Sequence, residues 1–217
     1  VGDKTGRWLV KVAAARPRSA LRLKRLLDVV GALGLLALTA PLMLLVALLV
    51  KLTSRGPVFF VQRRVGTHCD EFFMHKFRTM APGADRQQDQ LADEQAGRTF
   101  LKIVNDPRVT PVGRFLRRYS LDELPQLLNV LAGDMSLVGP RPLLPCDFRK
   151  FPKREQLRRF SVKPGLTGLW QVSGRSACTD QERMALDLRY VDEWSLRLDL
   201  AILARTGPVV LSARGAS

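Results

Sequence analysis

VVGALGLLALTAPLMLLVALLV, residues 29–50, carries no charged side chain. As a helix it would measure about 33 Å, against a bilayer hydrocarbon core of about 30 Å. It is too long for a cleaved signal peptide, and Lys51 follows it rather than a small-residue cleavage site. The run is a membrane element. Both flanks are basic, with Arg22, Lys24 and Arg25 before it and Lys51, Arg55, Arg63 and Arg64 after it. The positive-inside bias therefore selects no orientation and suits both ends on one side. Pro41 lies near the middle, where proline removes a helical hydrogen bond and can kink the chain. Thr39 is close enough to satisfy a freed carbonyl. Two arrangements fit: a kinked helix that enters and leaves by one face, or a spanning helix with a proline kink.

Working outward, composition narrows the partners. The 217 residues suffice for one sizeable domain plus an appendage. Lys and Arg number 35 against 20 Asp and Glu, a formal net charge of +15. That excess points to nucleic acid, an anionic membrane surface or phosphorylated substrates. Nucleic acid fits worst: only 7% of residues are aromatic, few for base stacking, and such a binder has no use for an uncharged membrane run. Residues 1–25 oppose Arg16, Arg18, Arg22, Lys24 and Arg25 with only Asp3, which suits anionic headgroups or a solvated tail. Cys69, Cys146 and Cys178 offer no metal-ligand spacing and read as reduced, buried thiols. The chain starts at Val1 rather than Met, as a piece of a longer protein would.

From residue 56 the pattern is that of a soluble domain. Gly56-Pro57 is a turn, and Val58–Val61 is a short strand ending at Arg63-Arg64. Residues 71–78 alternate, which aims Lys76 and Arg78 in the same direction. His68 and His75 lack metal-ligand neighbours. Residues 82–97 read as a polar, mobile loop with some helix, and Asn105–Arg108 as a turn. A basic amphipathic helix is expected over 114–119 and a basic helix over 148–160. In KPGLTGLWQVSGRS, residues 163–176, the expectation is loop, strand at Leu169–Val172, loop. Residues 180–204 form an amphipathic helix or pair of helices. These pack into the core or lie in the membrane interface, with Trp194 and Tyr190 at headgroup depth.

The candidate chemistry lies in SLDELPQLLNVLAGDMSLVGPRP, residues 120–142. Asp122 and Glu123 precede a helical apolar run from Leu124 to Leu131, which Gly133 and Asp134 end. Ser120-x-x-Glu123 matches a capping box, and first-turn carboxylates are stabilising without any function. Pro125 argues against that cap. It would be the fifth helical residue, where proline costs stability; at the first helical position it leaves both acids in the preceding turn. There, a carboxylate beside a cation or metal can attack phosphorus, and a neighbour of raised pKa can serve as general acid or base. Phosphoryl transfer also calls for cations on the non-bridging oxygens. Lys76, Arg78, Arg117, Arg141 and Arg175 are the candidates, although each alone also reads as a solvated surface cation. Arg141 sits in Pro-Arg-Pro and Arg175 in Ser-Gly-Arg-Ser, where the backbone holds them best. Neither GxxxxGK[ST] nor GxGxxG is present.

In order, Lys76-Phe77-Arg78-Thr79-Met80, Asn105-Asp106-Pro107-Arg108, residues 120–142 and residues 163–176 resemble the motif series of the bacterial sugar transferases. These are monotopic phosphoglycosyl transferases, including undecaprenyl-phosphate hexose-1-phosphate transferases, and the resemblance covers residues 20–205. It implies transfer of a sugar-1-phosphate from a UDP-sugar to a polyprenyl (undecaprenyl) phosphate, with release of UMP. It implies Asp122 as the nucleophile that forms a covalent phosphosugar, with Mg²⁺ beside it and Glu123 as its partner. Lys76, Arg117, Arg141 and Arg175 match basic positions around the phosphates. The implied setting is the cytoplasmic face of the bacterial inner membrane, in contact with anionic lipids. The implied helix is re-entrant and broken near the proline; this chain has Ala40 where members often carry Ser.

The expected fold is α+β, predominantly helical with a few short strands, in a monotopic membrane protein. A basic juxtamembrane segment (1–23) leads to a Pro-kinked re-entrant helix (24–51) and a cytoplasmic catalytic domain (52–217) with C-terminal interfacial helices. A homo-oligomer is compatible with this layout. The competing class is a non-catalytic membrane-bound module that recruits anionic lipid or nucleotide.

Overall fold

The computed structural model describes residues 16–84, 106–148, 154–174 and 178–212. The expectations for residues 1–15, for a loop over 85–97, for Asn105, for helix over 149–153 and for Arg175 lie outside them.

The apolar run forms the middle of α1 (Arg18–Thr53), 36 residues long, which continues through Pro41. Its most apolar stretch is only 11% buried, with Leu33, Leu38, Leu44 and Leu48 exposed, as a helix with lipid around it requires. Thr39 does not serve the carbonyl that Pro41 frees at Ala37. Its hydroxyl donates to Leu35 O at 2.7 Å, one turn back, the usual reach of a helical threonine.

Both ends of α1 are tied to the body of the protein. At the N-terminal end Arg25 donates to Val130 O (2.6 Å) and Leu131 O (2.8 Å), and Lys24 to Asp199 (2.7 Å). Asp28, buried on the helix, accepts from Ser136 Oγ and Leu137 N, both at 3.0 Å. At the other end Val46 and Val50 pack with Phe77 and Leu116.

A hairpin follows: β1 (Phe59–Val65) pairs antiparallel with β2 (Glu71–Phe77), Phe59 opposite Phe77 and Val65 opposite Glu71. The first strand thus runs through the basic pair instead of stopping there. α2 (Pro111–Arg118) starts with Pro111 in the first turn and Thr110 capping Gly113 N at 2.9 Å. A 3₁₀ turn (Leu121–Glu123) leads to α3 (Gln126–Ala132), which Gly133 ends at φ 97°.

β3 (Ser136–Val138) pairs parallel with β4 (Gly165–Thr167) in a second small sheet. Between them lie α4 (Pro145–Phe148) and a 3₁₀ helix (Arg154–Ser161), so the described part of the basic helix expected over 148–160 is 3₁₀ from Arg154 onward. The strand expected at Leu169–Val172 is instead α5 (Leu169–Ser173); the strand sits four residues earlier. Backbone packing accompanies the shift: Gly165 pairs with Ser136, and a Cβ on Gly165 would lie 2.0 Å from Gly139 N, so the two chains come this close only with glycine there.

Residues 180–204 form two helices, α6 (Asp180–Glu193) and α7 (Leu196–Leu211), broken at Trp194-Ser195. Tyr190 is not at headgroup depth. It is 1% exposed, and its hydroxyl donates to Asp199 (2.7 Å) and lies 2.9 Å from Val138 O, inside the core formed by Ala32, Met74, Leu127, Met135 and Ile202. The cysteines are free thiols, but none is fully buried, and Cys146 is exposed.

Candidate active site

Of the six described residues singled out by sequence, five converge. The convergence begins with the failed cap. Ser120 adopts φ 55°, ψ 22° and makes no side-chain capping bond, so the capping box does not form. Pro125 immediately precedes α3, which leaves Asp122 and Glu123 in the 3₁₀ turn before the helix. This is the arrangement that proline chemistry favours at a helix start.

The neighbouring elements then bring cations to that turn. Asn129 on α3 accepts from His75 N (3.0 Å) and donates to Phe73 O (2.7 Å), which fixes β2 against α3. Lys76, near the end of β2, donates to Glu123 Oε1 at 2.9 Å. Arg141, in the Pro-Arg-Pro loop after β3, reaches the same oxygen at 3.1 Å. Arg117 comes from α2, its Nε donating to Thr79 Oγ1 at 2.9 Å. That approach depends on Gly113, since a Cβ there would lie 2.0 Å from Thr79 O.

The two acids are in opposite states. Asp122 is 7% exposed and, among the described residues, makes no hydrogen bond or ion pair. Burial, the largest influence, pushes its carboxyl up; Lys76, Arg117 and Arg141 pull it down and Glu123 pushes it further up. For Glu123, burial likewise opposes ionisation, but Arg141 and Lys76 together hold it well below the usual carboxylate range. In return Glu123 raises Arg141 and offsets part of the burial that lowers Lys76. These directions reverse the division of labour expected from the sequence: the raised carboxyl is that of Asp122, and its neighbour Glu123 is lowered, because the two cations grip Glu123 and not Asp122. Glu123 is locked as the counter-charge of two cations, and Asp122 keeps its oxygens available.

Arg78 does not join the site. Its guanidinium donates to Ser54 O (2.8 Å), Ser54 Oγ (2.7 Å) and Arg55 O (2.8 Å), closing the end of α1. β2 ends at Phe77, so strand alternation no longer governs the direction of residue 78. Arg64 does join the periphery, and sequence reasoning missed it. It donates to Pro142 O (3.3 Å) and Gln62 Oε1 (2.7 Å), and burial, then Arg141, lowers its guanidinium to about 10. Extending β1 to Val65 in the sequence reading would have turned Arg64 to the face opposite Arg63.

The sequence profile of the family described as "Bacterial sugar transferase" matches residues 19–213. The chain belongs to the bacterial sugar transferase family. It is 42% identical over 210 residues to the exopolysaccharide production protein ExoY of Sinorhizobium fredii, covering 94% of this chain and 92% of that one. It is 44% identical over 224 residues to the UDP-glucose:undecaprenyl-phosphate glucose-1-phosphate transferase of Caulobacter vibrioides, covering 100% of this chain and 80% of the relative. The undecaprenyl-phosphate galactose phosphotransferase of Salmonella typhimurium is 43% identical over 205 residues, but that match spans only 42% of the relative's length.

The sugar transferase site fits a magnesium ion in one respect. Among the described residues no three His, Cys, Asp or Glu side chains converge. Magnesium commonly takes one or two protein carboxylates and completes its shell with phosphate oxygens and water. The buried, unpartnered carboxylate of Asp122 suits that role, whereas Glu123 is already engaged by Lys76 and Arg141.

Proposed function

We propose that this sugar transferase moves a sugar-1-phosphate from a UDP-sugar to undecaprenyl phosphate in two displacements through Asp122, releasing UMP. The observation that carries the reading is the pair of unequal acids: Asp122 buried and unpartnered, with Glu123 holding Lys76 and Arg141 beside it. In the first step Asp122 Oδ attacks the phosphorus that bears the sugar. The bond from that phosphorus to the bridging oxygen breaks, and UMP departs with the electron pair. The product is an aspartyl phosphosugar. In the second step a phosphate oxygen of undecaprenyl phosphate attacks the same phosphorus, restoring the carboxylate and giving the lipid-linked diphosphosugar.

Neither step needs a proton taken from an acceptor phosphate that is already ionised, which agrees with a Glu123 held as an anion. Arg117, Lys76 and Arg141 neutralise charge on the phosphate oxygens, the main electrostatic need of phosphoryl transfer. Mg²⁺ held by Asp122 would supply further charge neutralisation on those oxygens.

The lipid acceptor accords with the fold. Asp28 and Val50 are separated by about 33 Å of helix, yet both pack against the same body. A helix crossing the bilayer would carry its ends to opposite faces. This supports a re-entrant α1, entered and left from the cytoplasmic face of the bacterial inner membrane. Exposed Phe115, Leu128, Leu200 and Leu211 support interfacial contact by α2, α3 and α7. The expected role is the first membrane step of surface polysaccharide assembly.

The test is UMP release from a panel of UDP-sugars by the detergent-solubilised full chain with undecaprenyl phosphate. The reading expects one UDP-sugar or a few to give UMP and a lipid-linked product in equal amounts. Lipid-linked product formed with UDP as the leaving nucleotide would contradict it.

A further inference from the structure

Arg141 works from a loop with no regular secondary structure, and two flanking prolines deprive that loop of backbone donors. Its carbonyls, however, are all held. Pro140 O accepts from Gly165 N (2.9 Å), and Leu143 O accepts from Val65 N (2.9 Å). The two carbonyls between them have no backbone donor among the described residues and are taken by guanidinium groups. Arg159 Nη2 donates to Arg141 O at 2.9 Å, and Arg64 Nη1 to Pro142 O at 3.3 Å. Arg159 is itself held from behind by Asp187 on α6, in an ion pair where both residues are 3% exposed.

A buried ion pair of this kind is a poor source of net stability, because desolvation offsets most of its attraction. Its geometry has a clearer use. From α6 through Asp187, Arg159 and the Arg141 carbonyl, a continuous set of hydrogen bonds reaches the residue that grips Glu123. We propose that Arg159, backed by Asp187, and Arg64 are positioning residues that fix the Pro-Arg-Pro loop, and through it the Arg141 guanidinium, for phosphoryl transfer. None of the three need touch substrate. The proposal rests on the reading of Arg141 as a phosphate-site cation.

A loosened loop would displace the Arg141 guanidinium, and an error of about 1 Å in such a group costs on the order of 100-fold in rate. The experiment compares Arg159→Gln, Asp187→Asn, Arg64→Gln and Arg141→Gln in the full chain. A UDP-sugar that the parent protein turns over serves as donor, and every assay is run well below the variant's melting temperature. Arg159→Gln and Asp187→Asn are expected to lower kcat about 10–100-fold with KM for the UDP-sugar within about threefold. Arg159→Lys, which keeps a charged donor, should recover part of the loss.

Should Arg159→Gln fail to fold, Arg64→Gln reads the same loop from the hairpin side, where about a tenfold loss of kcat is expected. Parent-like kcat in the folded positioning variants alongside an impaired Arg141→Gln overturns this proposal. So does a loss that only tracks the fraction of folded protein. Full activity in Arg141→Gln instead overturns the placement of Arg141 at the phosphates, and the positioning role falls with it.

Discussion

Asp122→Asn is expected to abolish sugar-phosphate transfer while making the protein more stable at neutral pH. The first half follows from removing the attacking oxygen: an amide does not form the acyl-phosphate, and a loss of at least about 10³-fold is expected. The second half follows from burial. Asp122 has no hydrogen-bond donor among the described residues, and its folded-state pKa is raised above the ordinary value of 3.8. A group with a raised folded-state pKa destabilises the fold once the pH exceeds the unfolded value, because ionisation is easier in the unfolded chain. Asparagine avoids that cost. A higher Tm for the variant than for the parent is expected at pH 7. The gap should narrow as the pH falls towards and below 3.8, where the parent carboxyl is protonated in both states. Thermal unfolding of both proteins across pH checks the sign, and a lower Tm for the variant at pH 7 would contradict it.

Its neighbour should behave in the opposite way. Glu123→Gln leaves Lys76 and Arg141 without the carboxylate that both of them grip. Removing one partner of a fully buried ion pair costs about 3–5 kcal/mol; the Arg141 side chain is about a third exposed, which reduces the expectation to about 2–3 kcal/mol. The folded-state pKa of Glu123 is depressed, so its contribution is fully present above the unfolded value of 4.5 and is lost as the pH falls through the folded value. The variant's deficit should therefore be largest near neutrality and shrink in acid. Activity should fall about 10²–10³-fold, because the two cations lose their common anchor. Adjacent carboxylates with stability effects of opposite sign would be hard to reconcile with a simple helix cap.

Much of this site could be read from the sequence. Pro125 alone separated the two acids from the helix that follows, and the motif series picked out Lys76, Arg117 and Arg141. The uncharged run gave α1. What the sequence did not reveal depends on contacts between distant segments. Arg78 looks equivalent to Lys76 by strand alternation, but the strand ends one residue earlier and Arg78 closes the end of α1. Arg64, Arg159 and Asp187 look like ordinary surface charges until β1, the 3₁₀ helix and α6 meet around the Pro-Arg-Pro loop. The strand at Gly165–Thr167 needs glycine where the backbones touch, which no hydrophobic alternation records. Tyr190 and Asp199 likewise have amphipathic-helix spacing in sequence but serve a buried hydrogen-bond network.

The central claim, a covalent intermediate on Asp122, is tested most directly by isotope exchange without the lipid acceptor. The full chain would be incubated with a UDP-sugar it turns over and with radiolabelled UMP, in the absence of polyprenyl phosphate. A reversible first displacement predicts that label enters the UDP-sugar pool, and that Asp122→Asn abolishes the exchange. No exchange by a protein that transfers normally once undecaprenyl phosphate is added would contradict the intermediate and point to direct displacement by the lipid phosphate.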